Sequence, residues 1–209
     1  MTWGQWVEGI VPDATERVIE LPLAYAVMAV STPGRVLDAG CACNQPLANV
    51  TADVVHLTQS LSHERQFPGR QYVAGDLRDL SIFPDGAFDR VVCVSTLEHV
   101  GYDNTRYGGP VESDPGTVVM AVAELWRVCR GVLFLTVPFR LQPWACEGWR
   151  YFTPDTVSQL IPVGTVPTIR YYGRAAAGWF GGSPVPFWCP FIAAHRKRVS
   201  MIACLQVTR

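Results

Sequence analysis

Lysine is all but missing from this sequence: of its 17 basic residues only Lys197 is a lysine, the others being arginine. Charge of either sign is scarce, at 17% of residues, and the formal net charge is −1. Such a chain carries no long-range field to gather nucleic acid or anionic lipid. Its one basic cluster, His195-Arg196-Lys197-Arg198, falls between two strand-like runs, where a charged hairpin turn is expected. No CxxC pair occurs among Cys41, Cys43, Cys93, Cys129, Cys146, Cys189 and Cys204, and no histidine stands at zinc-ligand spacing, so no metal site is expected. The cysteine count is odd and several lie in apolar runs, where a thiol behaves as a small hydrophobe; a reduced, cytoplasmic protein is the simplest account. Long apolar stretches are lacking too. Leu21–Val30 is only ten residues, too short for a bilayer, and Glu8, Asp13, Glu16, Arg17 and Glu20 interrupt the region a signal peptide would occupy. Neither a membrane nor a nucleic acid is expected as a partner.

What is present is a globular composition, 49% hydrophobic over 209 residues, enough for one domain with a sizeable core. Asp13 is placed to cap a helix running to about Val30, with Pro22 expected to bend or restart it. Strands are read at RVLDA (35–39), DVVHLT (53–58), QYVAGD (71–76), DRVVCVS (89–95) and VLFLTVP (132–138), the first apolar on both faces as in a central parallel strand. VVMAVAELWRVC (118–129) has helical spacing and ends at Arg130-Gly131. Thr153-Pro154-Asp155 reads as a second helix start, and strands near 168–172 and 200–207 complete the chain. The stretch 175–191, rich in glycine, proline and aromatics, reads as a loop or lid. The expectation is a single α/β domain over 1–209 with a doubly wound, mostly parallel, seven-stranded sheet and an antiparallel C-terminal strand. Within it, 1–33 form an N-terminal helical cap, 34–160 the core, and 161–209 the aromatic-rich lid and final strands.

The turn after the first strand, Gly40-Cys41-Ala42-Cys43-Asn44, brings backbone to the carboxyl end of the sheet with almost no side chain in the way. G-x-G-x-x-G is not there, which disfavours a pyrophosphate cradle. Asp38-Ala39-Gly40-Cys41-Ala42-Cys43-Asn44 instead resembles, in part, the D/E-x-G-x-G-x-G motif of class I S-adenosylmethionine-dependent methyltransferases. Gly75-Asp76-Leu77, FPDGAFDRVVCVSTLEHVG (83–101), AELWRVCRGVLFLTVPF (123–139) and WRYFTPDTVSQL (149–160) resemble the family's later segments in the right order. The resemblance, over roughly 34–160, implies S-adenosyl-L-methionine as cofactor. It implies contacts from Asp38, Ala39, Gly40, Ala42, Asn44, Thr58, Gln59, Asp76, Leu77 and Ser95, with Asp76 and the backbone of Leu77 receiving the adenine.

Two departures from the pattern stand out. The family's acid at the end of strand two, which accepts from the ribose hydroxyls, is replaced by Thr58-Gln59-Ser60, and a neutral acceptor is about half as strong as a charged one. Only eight residues, Pro46 among them, separate Asn44 from Asp53, too few for a full crossover helix. Both point to altered or weaker cofactor binding.

For chemistry, His99 is the first choice of general base and Glu98 its orienting or substrate-binding neighbour, against the reading that His99 only packs a corner. The insertion holding Asp103, Asn104, Arg106 and Tyr107 either contacts a polar substrate or is solvated. Trp144, Trp149, Tyr151, Tyr171, Tyr172, Trp179, Phe180 and Trp188 either line a pocket for an aromatic or sugar-like molecule or pack the lid on the sheet. Ser95-Thr96-Leu97-Glu98 stands where base and amide methylases carry an N-P-P-Y type motif, which argues against those acceptors. The reading is methyl transfer to a small-molecule or sugar-derived acceptor, with oxygen favoured. Its rivals are a non-catalytic relative binding a metabolite or partner, and a same-fold enzyme of non-methyl chemistry.

Overall fold

A computed structural model describes residues 15–29, 34–44, 53–62, 66–146, 148–175, 178–183 and 201–209. Ten strands occur among them: β1 (Arg35–Ala39), β2 (Asp53–Thr58), β3 (Gln71–Ala74), β4 (Phe88–Val94), β5 (Cys129–Phe139), β6 (Ala145–Cys146), β7 (Trp149–Arg150), β8 (Thr168–Ala175), β9 (Gly178–Ser183) and β10 (Met201–Thr208). Strands β6 and β7 form a small separate hairpin; the other eight make one sheet in the order β3-β2-β1-β4-β5-β10-β8-β9. Strands β1 to β5 pair in parallel, and β10, β8 and β9 pair antiparallel. The chain winds outward from β1 to β3, then crosses to the other side of β1 to lay down β4. The strand order therefore reverses between β1 and β4, and the crevice beyond their carboxyl ends is where this architecture receives ligands.

Period-two alternation sorts the side chains between two covering helices. Leu37, Val91, Cys93, Leu133 and Leu135 face α2 (Val118–Val128), whose Val118, Ala121, Val122 and Leu125 are fully or nearly fully buried. Val36, Val92, Val94 and Phe134 face α1 (Arg17–Met28), packing on Ile19, Ala24, Val27 and Met28. Each central strand is thus apolar on both faces, as its unbroken hydrophobic run requires.

The expected α/β sheet is present, and it is one strand wider. Part of the segment read as a loop over 175–191 is β9, an edge strand whose pairing to β8 overrides its glycine-rich composition. Residues 184–200, with the basic cluster at 195–198, lie outside the described residues, as do Asp13, Val30 and the short crossover 45–52. Helix α1 runs through Pro22 without a break. Arg130-Gly131 does not cap α2 but already belongs to β5. A Cβ on Gly131 would stand 2.5 Å from the Asp89 carbonyl, so only glycine lets β5 begin that close to β4. The Thr153 segment forms one hydrogen-bonded turn and a 3-10 helix (Val157–Leu160), not an α-helix; Pro162 follows at once and prevents further turns. Cys41, Cys43, Cys93, Cys129 and Cys204 are buried and form no disulfide. No helix among the described residues is long and apolar enough to cross a membrane.

Candidate active site

Beyond β1 the backbone turns through two positive-φ residues, Gly40 (99°) and Cys41 (59°). Gly40 is required twice over. Its φ disfavours any side chain, and a Cβ there would lie 2.2 Å from Oγ1 of Thr96, which follows β4. Beneath the turn, the buried Asp38 carboxylate accepts from the backbone N–H of Cys43 (3.0 Å) and from Nδ1 of His56 (2.8 Å) on β2. Asp38, Cys41 and His56 bring ligand-type atoms within 4.8 Å of one another; Asp38 Oδ2 and His56 Nδ1 already share a hydrogen bond, while Asp38 Oδ1 has no partner among the described residues. Asn44 accepts from the Tyr72 hydroxyl. These bonds hold the turn from below and leave its upper surface bare.

That surface is the floor of a cavity of about 700 Å³, within the usual range for small-ligand sites. Gly40, Cys41 and Ala42 line it beside Leu57, Thr58, Gln59, Gly75, Asp76, Leu77, Ser95, Thr96, Glu98 and His99. Asp76 sits at the end of β3 with its carboxylate gripped by Arg78, whose Nε lies 3.0 and 3.1 Å from the two oxygens. These hydrogen bonds hold the Asp76 carboxyl below the usual carboxylate range, so it is ionised at neutral pH. The other edge of the Arg78 guanidinium meets Glu112 at 2.6 and 2.7 Å, which ties the 101–117 insertion to the end of β3. The insertion is accordingly part of the cavity wall, through Asp103, Asn104, Arg106, Tyr107 and Glu112. The Gln59 amide end lies against it too, where a Cβ on Gly109 would be only 2.4 Å away.

On the β4 side, Ser95 has φ 41° and its hydroxyl donates to Glu20 of α1 (2.6 Å). Thr136 of β5 donates to the same oxygen (2.8 Å), and Arg17, on the cavity wall, donates to the other at 3.3 Å. Glu20 is fully buried, and burial raises its carboxyl despite these partners. Glu98 is also buried. Desolvation pushes its carboxyl up to about 8, and Oε2 has no hydrogen-bond partner among the described residues. Glu98 is therefore a neutral acid at pH 7, bordering the cavity. His99 is half-buried, and burial lowers its pKa, so the ring is neutral. Its Nδ1 lies 3.2 Å from the Gly148 carbonyl, which can only accept; Nδ1 thus carries the proton and Nε2 is the basic nitrogen.

Of the residues singled out from sequence, Gly40, Ala42, Thr58, Gln59, Asp76, Leu77, Ser95, Glu98 and His99 come together around one cavity. Asp38, Ala39 and Asn44 do not border it; they are buried and support the turn. Glu98 does not orient His99, a task that falls to the Gly148 carbonyl. Thr58 is buried, and among the described residues its hydroxyl makes only long contacts, to Ser60. Of the aromatic residues, Trp149 and Tyr151 line the cavity, Tyr171, Tyr172 and Trp179 are core, and Trp144 is exposed under Arg140; Trp188 lies outside the described residues. The sequence reading missed Glu20, His56, Arg78 and Glu112. Only Arg78, two residues past Asp76, carried a local signal.

Residues 37–131 match the family model described as a methyltransferase domain. No curated protein sequence matches the chain. Among solved structures the [4+2]-cyclase SpnF is 16% identical, with 99% of this chain and 86% of that one covered and a TM-score of 0.62. A methyltransferase from Archaeoglobus fulgidus, S-adenosylmethionine-dependent by its description, is 12% identical, covering 94% and 95%, with a TM-score of 0.61. The Burkholderia thailandensis 1,6-didemethyltoxoflavin N1-methyltransferase, with bound substrate and S-adenosylhomocysteine, is 13% identical over 90% and 76%, with a TM-score of 0.58. The resemblance read from the motifs thus holds at two levels. Residues 37–131 fit a methyltransferase-domain model, and the fold is the one these methyltransferase structures share.

The buried acid makes a pH prediction. An unfolded glutamate ionises near pH 4.3, about where Glu98 in the folded state still holds its proton. The folded protein therefore binds the extra proton across that window, and the stability tied to Glu98 is lost as pH rises toward about 8. Glu98→Gln should gain on the wild type in urea midpoint between about pH 5 and about pH 8. A difference that stays flat across that range contradicts a buried, protonated Glu98.

Proposed function

We propose that this protein transfers a methyl group from S-adenosyl-L-methionine to a small-molecule acceptor, most naturally at oxygen. The observation that carries the reading is that the bare Gly40–Ala42 surface, the ionised Asp76 and the neutral His99 border one cavity. The residues fit the cofactor. A side chain at position 40 would collide with Thr96, so the turn stays flat; Leu57 and Leu77 supply apolar walls; Asp76 supplies a charged acceptor for the adenine amine. Gln59 and Thr58 stand where the ribose hydroxyls would lie and offer neutral acceptors, so this end of the site is held more weakly than a carboxylate would hold it. Glu112, through Arg78, fastens the insertion to the Asp76 side of the cavity.

When bound, the cofactor supplies an electrophilic methyl on a sulfonium; the protein contributes placement and proton removal. Nε2 of His99 is the base suited to take the acceptor's proton, because burial keeps the ring neutral and Gly148 fixes its tautomer. Glu98, being protonated, serves as a donor and not as a second base. The likeness to a cyclase of the same fold keeps a non-methyl reaction as the second reading, favoured by the prior engagement of Asp76 with Arg78. Detection of an acceptor product heavier by one CH₂ decides between them.

Two measurements test the reading. Asp76→Ala should weaken S-adenosylhomocysteine binding in calorimetry by about 1.5–3 kcal/mol, the range for a hydrogen bond to a charged group. Unchanged affinity removes Asp76 from the adenine site. Methyl transfer, once an acceptor is in hand, should fall on acidification with an apparent pKa below the ordinary histidine value of about 6.5. His99→Gln should abolish that acidic limb; an intact limb in the variant rules His99 out as the base.

A further inference from the structure

Four rings form a continuous stretch of the cavity wall: Tyr107, His99, Trp149 and Tyr151. Tyr107 meets His99 edge to face at 5.3 Å, His99 lies nearly parallel to Trp149 at 6.4 Å, and Trp149 meets Tyr151 at 4.8 Å. The rings come from three separate places in the chain: the turn after β4, the insertion, and the β7 region. Tyr107 is exposed, and Trp149 and Tyr151 are only half-buried, so packing against the core does not use up their faces, though Arg140 stacks on one face of Tyr151 at 4.1 Å and Arg106 approaches Tyr107 at 5.6 Å. Most of the other aromatic side chains described in the last third of the chain are core, which sets Trp149 and Tyr151 apart.

Polar groups around this wall are largely engaged with each other. The Asn104 amide donates to the carbonyls of His99 and Tyr102, Asp103 accepts from Thr105, and Glu112 is bound to Arg78. A sugar needs several free donors and acceptors around its ring edge, and these side chains do not offer them. A flat π-system needs only ring faces and one polar anchor. Glu98 provides that anchor: it borders the same cavity, is fully buried, and its Oε2 has no partner among the described residues.

We propose that the ring-walled part of the cavity is the acceptor subsite of the methyltransferase read above, on which this assignment rests, and that it takes a flat, uncharged aromatic or heteroaromatic molecule whose ring-borne oxygen or nitrogen accepts a hydrogen bond from Glu98. Charge on the ligand is disfavoured in the region of His99 and Glu98, which are both neutral, with Arg78 already paired to Asp76 and Glu112 and the charged Asp103 and Arg106 at the exposed rim of the cavity. Placed against Trp149, such a ring would present its edge substituent to the region of Glu98 and His99, the groups that donate and accept protons there.

The test uses the full chain and three probes of similar size: 2-naphthol, the saturated decalol of the same skeleton, and methyl β-glucopyranoside. Binding is followed by titration and saturation-transfer NMR, with and without S-adenosylhomocysteine. The naphthol should bind about tenfold more tightly than the decalol, as one ring contact of about 1.4 kcal/mol requires, and the glucoside should be weakest. Trp149→Leu should erase the margin between naphthol and decalol. Glu98→Leu should weaken naphthol about tenfold, whereas Glu98→Gln, which still donates, should stay within about threefold. Equal binding of naphthol and decalol, preference for the glucoside, or indifference to Trp149→Leu in a variant that melts like the wild type overturns the proposal. If that variant fails to fold, the wild-type comparison of the probes still decides. The cofactor reading is scored separately on the same samples: loss of the ring preference with S-adenosylhomocysteine binding intact sinks the acceptor assignment alone, and the reverse pattern sinks the cofactor assignment alone.

Discussion

Gly40 and Thr96 touch across the gap between β1 and β4, and the site depends on that contact. The strand order reverses there, and the space beyond the two strand ends is the cavity. Because residue 40 has no side chain, the turn lies flat against Thr96 and leaves the cavity floor open. Asp38 and His56 hold the turn from beneath without entering the cavity. A methyl or larger group at position 40 would have to displace either the β4 end or the turn itself.

Besides Asp38, the same corner carries two further buried carboxyls that a purely stable fold would not choose. Glu20 links α1 to the ends of β4 and β5 through Ser95 and Thr136, so its burial is offset by two hydroxyl donors and by Arg17. Glu98 has less compensation, with one oxygen unpartnered. Keeping it neutral avoids the larger cost of burying a charge but still leaves a polar group without its hydrogen bond. Proteins retain such groups where a ligand completes them, and Glu98 borders the cavity in which this chain has its candidate chemistry.

How much of this was legible in the sequence follows from how far apart the cooperating residues lie. The central sheet could be read because each strand is a short apolar run, and the cavity-floor residues because they stand immediately after strand ends. Gly40, Asp76 and His99 were found that way. Edge strand β9 was hidden, since glycine-rich composition says loop and only pairing with β8 makes it a strand. The Arg78–Glu112 tie spans 34 residues and the Glu20–Thr136 bond 116, and nothing local announces either. Asp38 was misjudged for a different reason: its place in the motif was right, but its side chain turns into the sheet to hold His56 and the Cys43 amide. The aromatic-rich third of the chain could not be divided by pattern into wall and core, because ring contacts in both use the same residue types.

A crystal structure of the protein grown with S-adenosylhomocysteine measures the central claim most directly. The account predicts the ligand's amino-acid and ribose portions lying over Gly40–Ala42 and its adenine beside Asp76, with Thr96 still against Gly40. Electron density for the nucleoside elsewhere, or side chains of the chain itself occupying that corner while the ligand stays in solution, would contradict it.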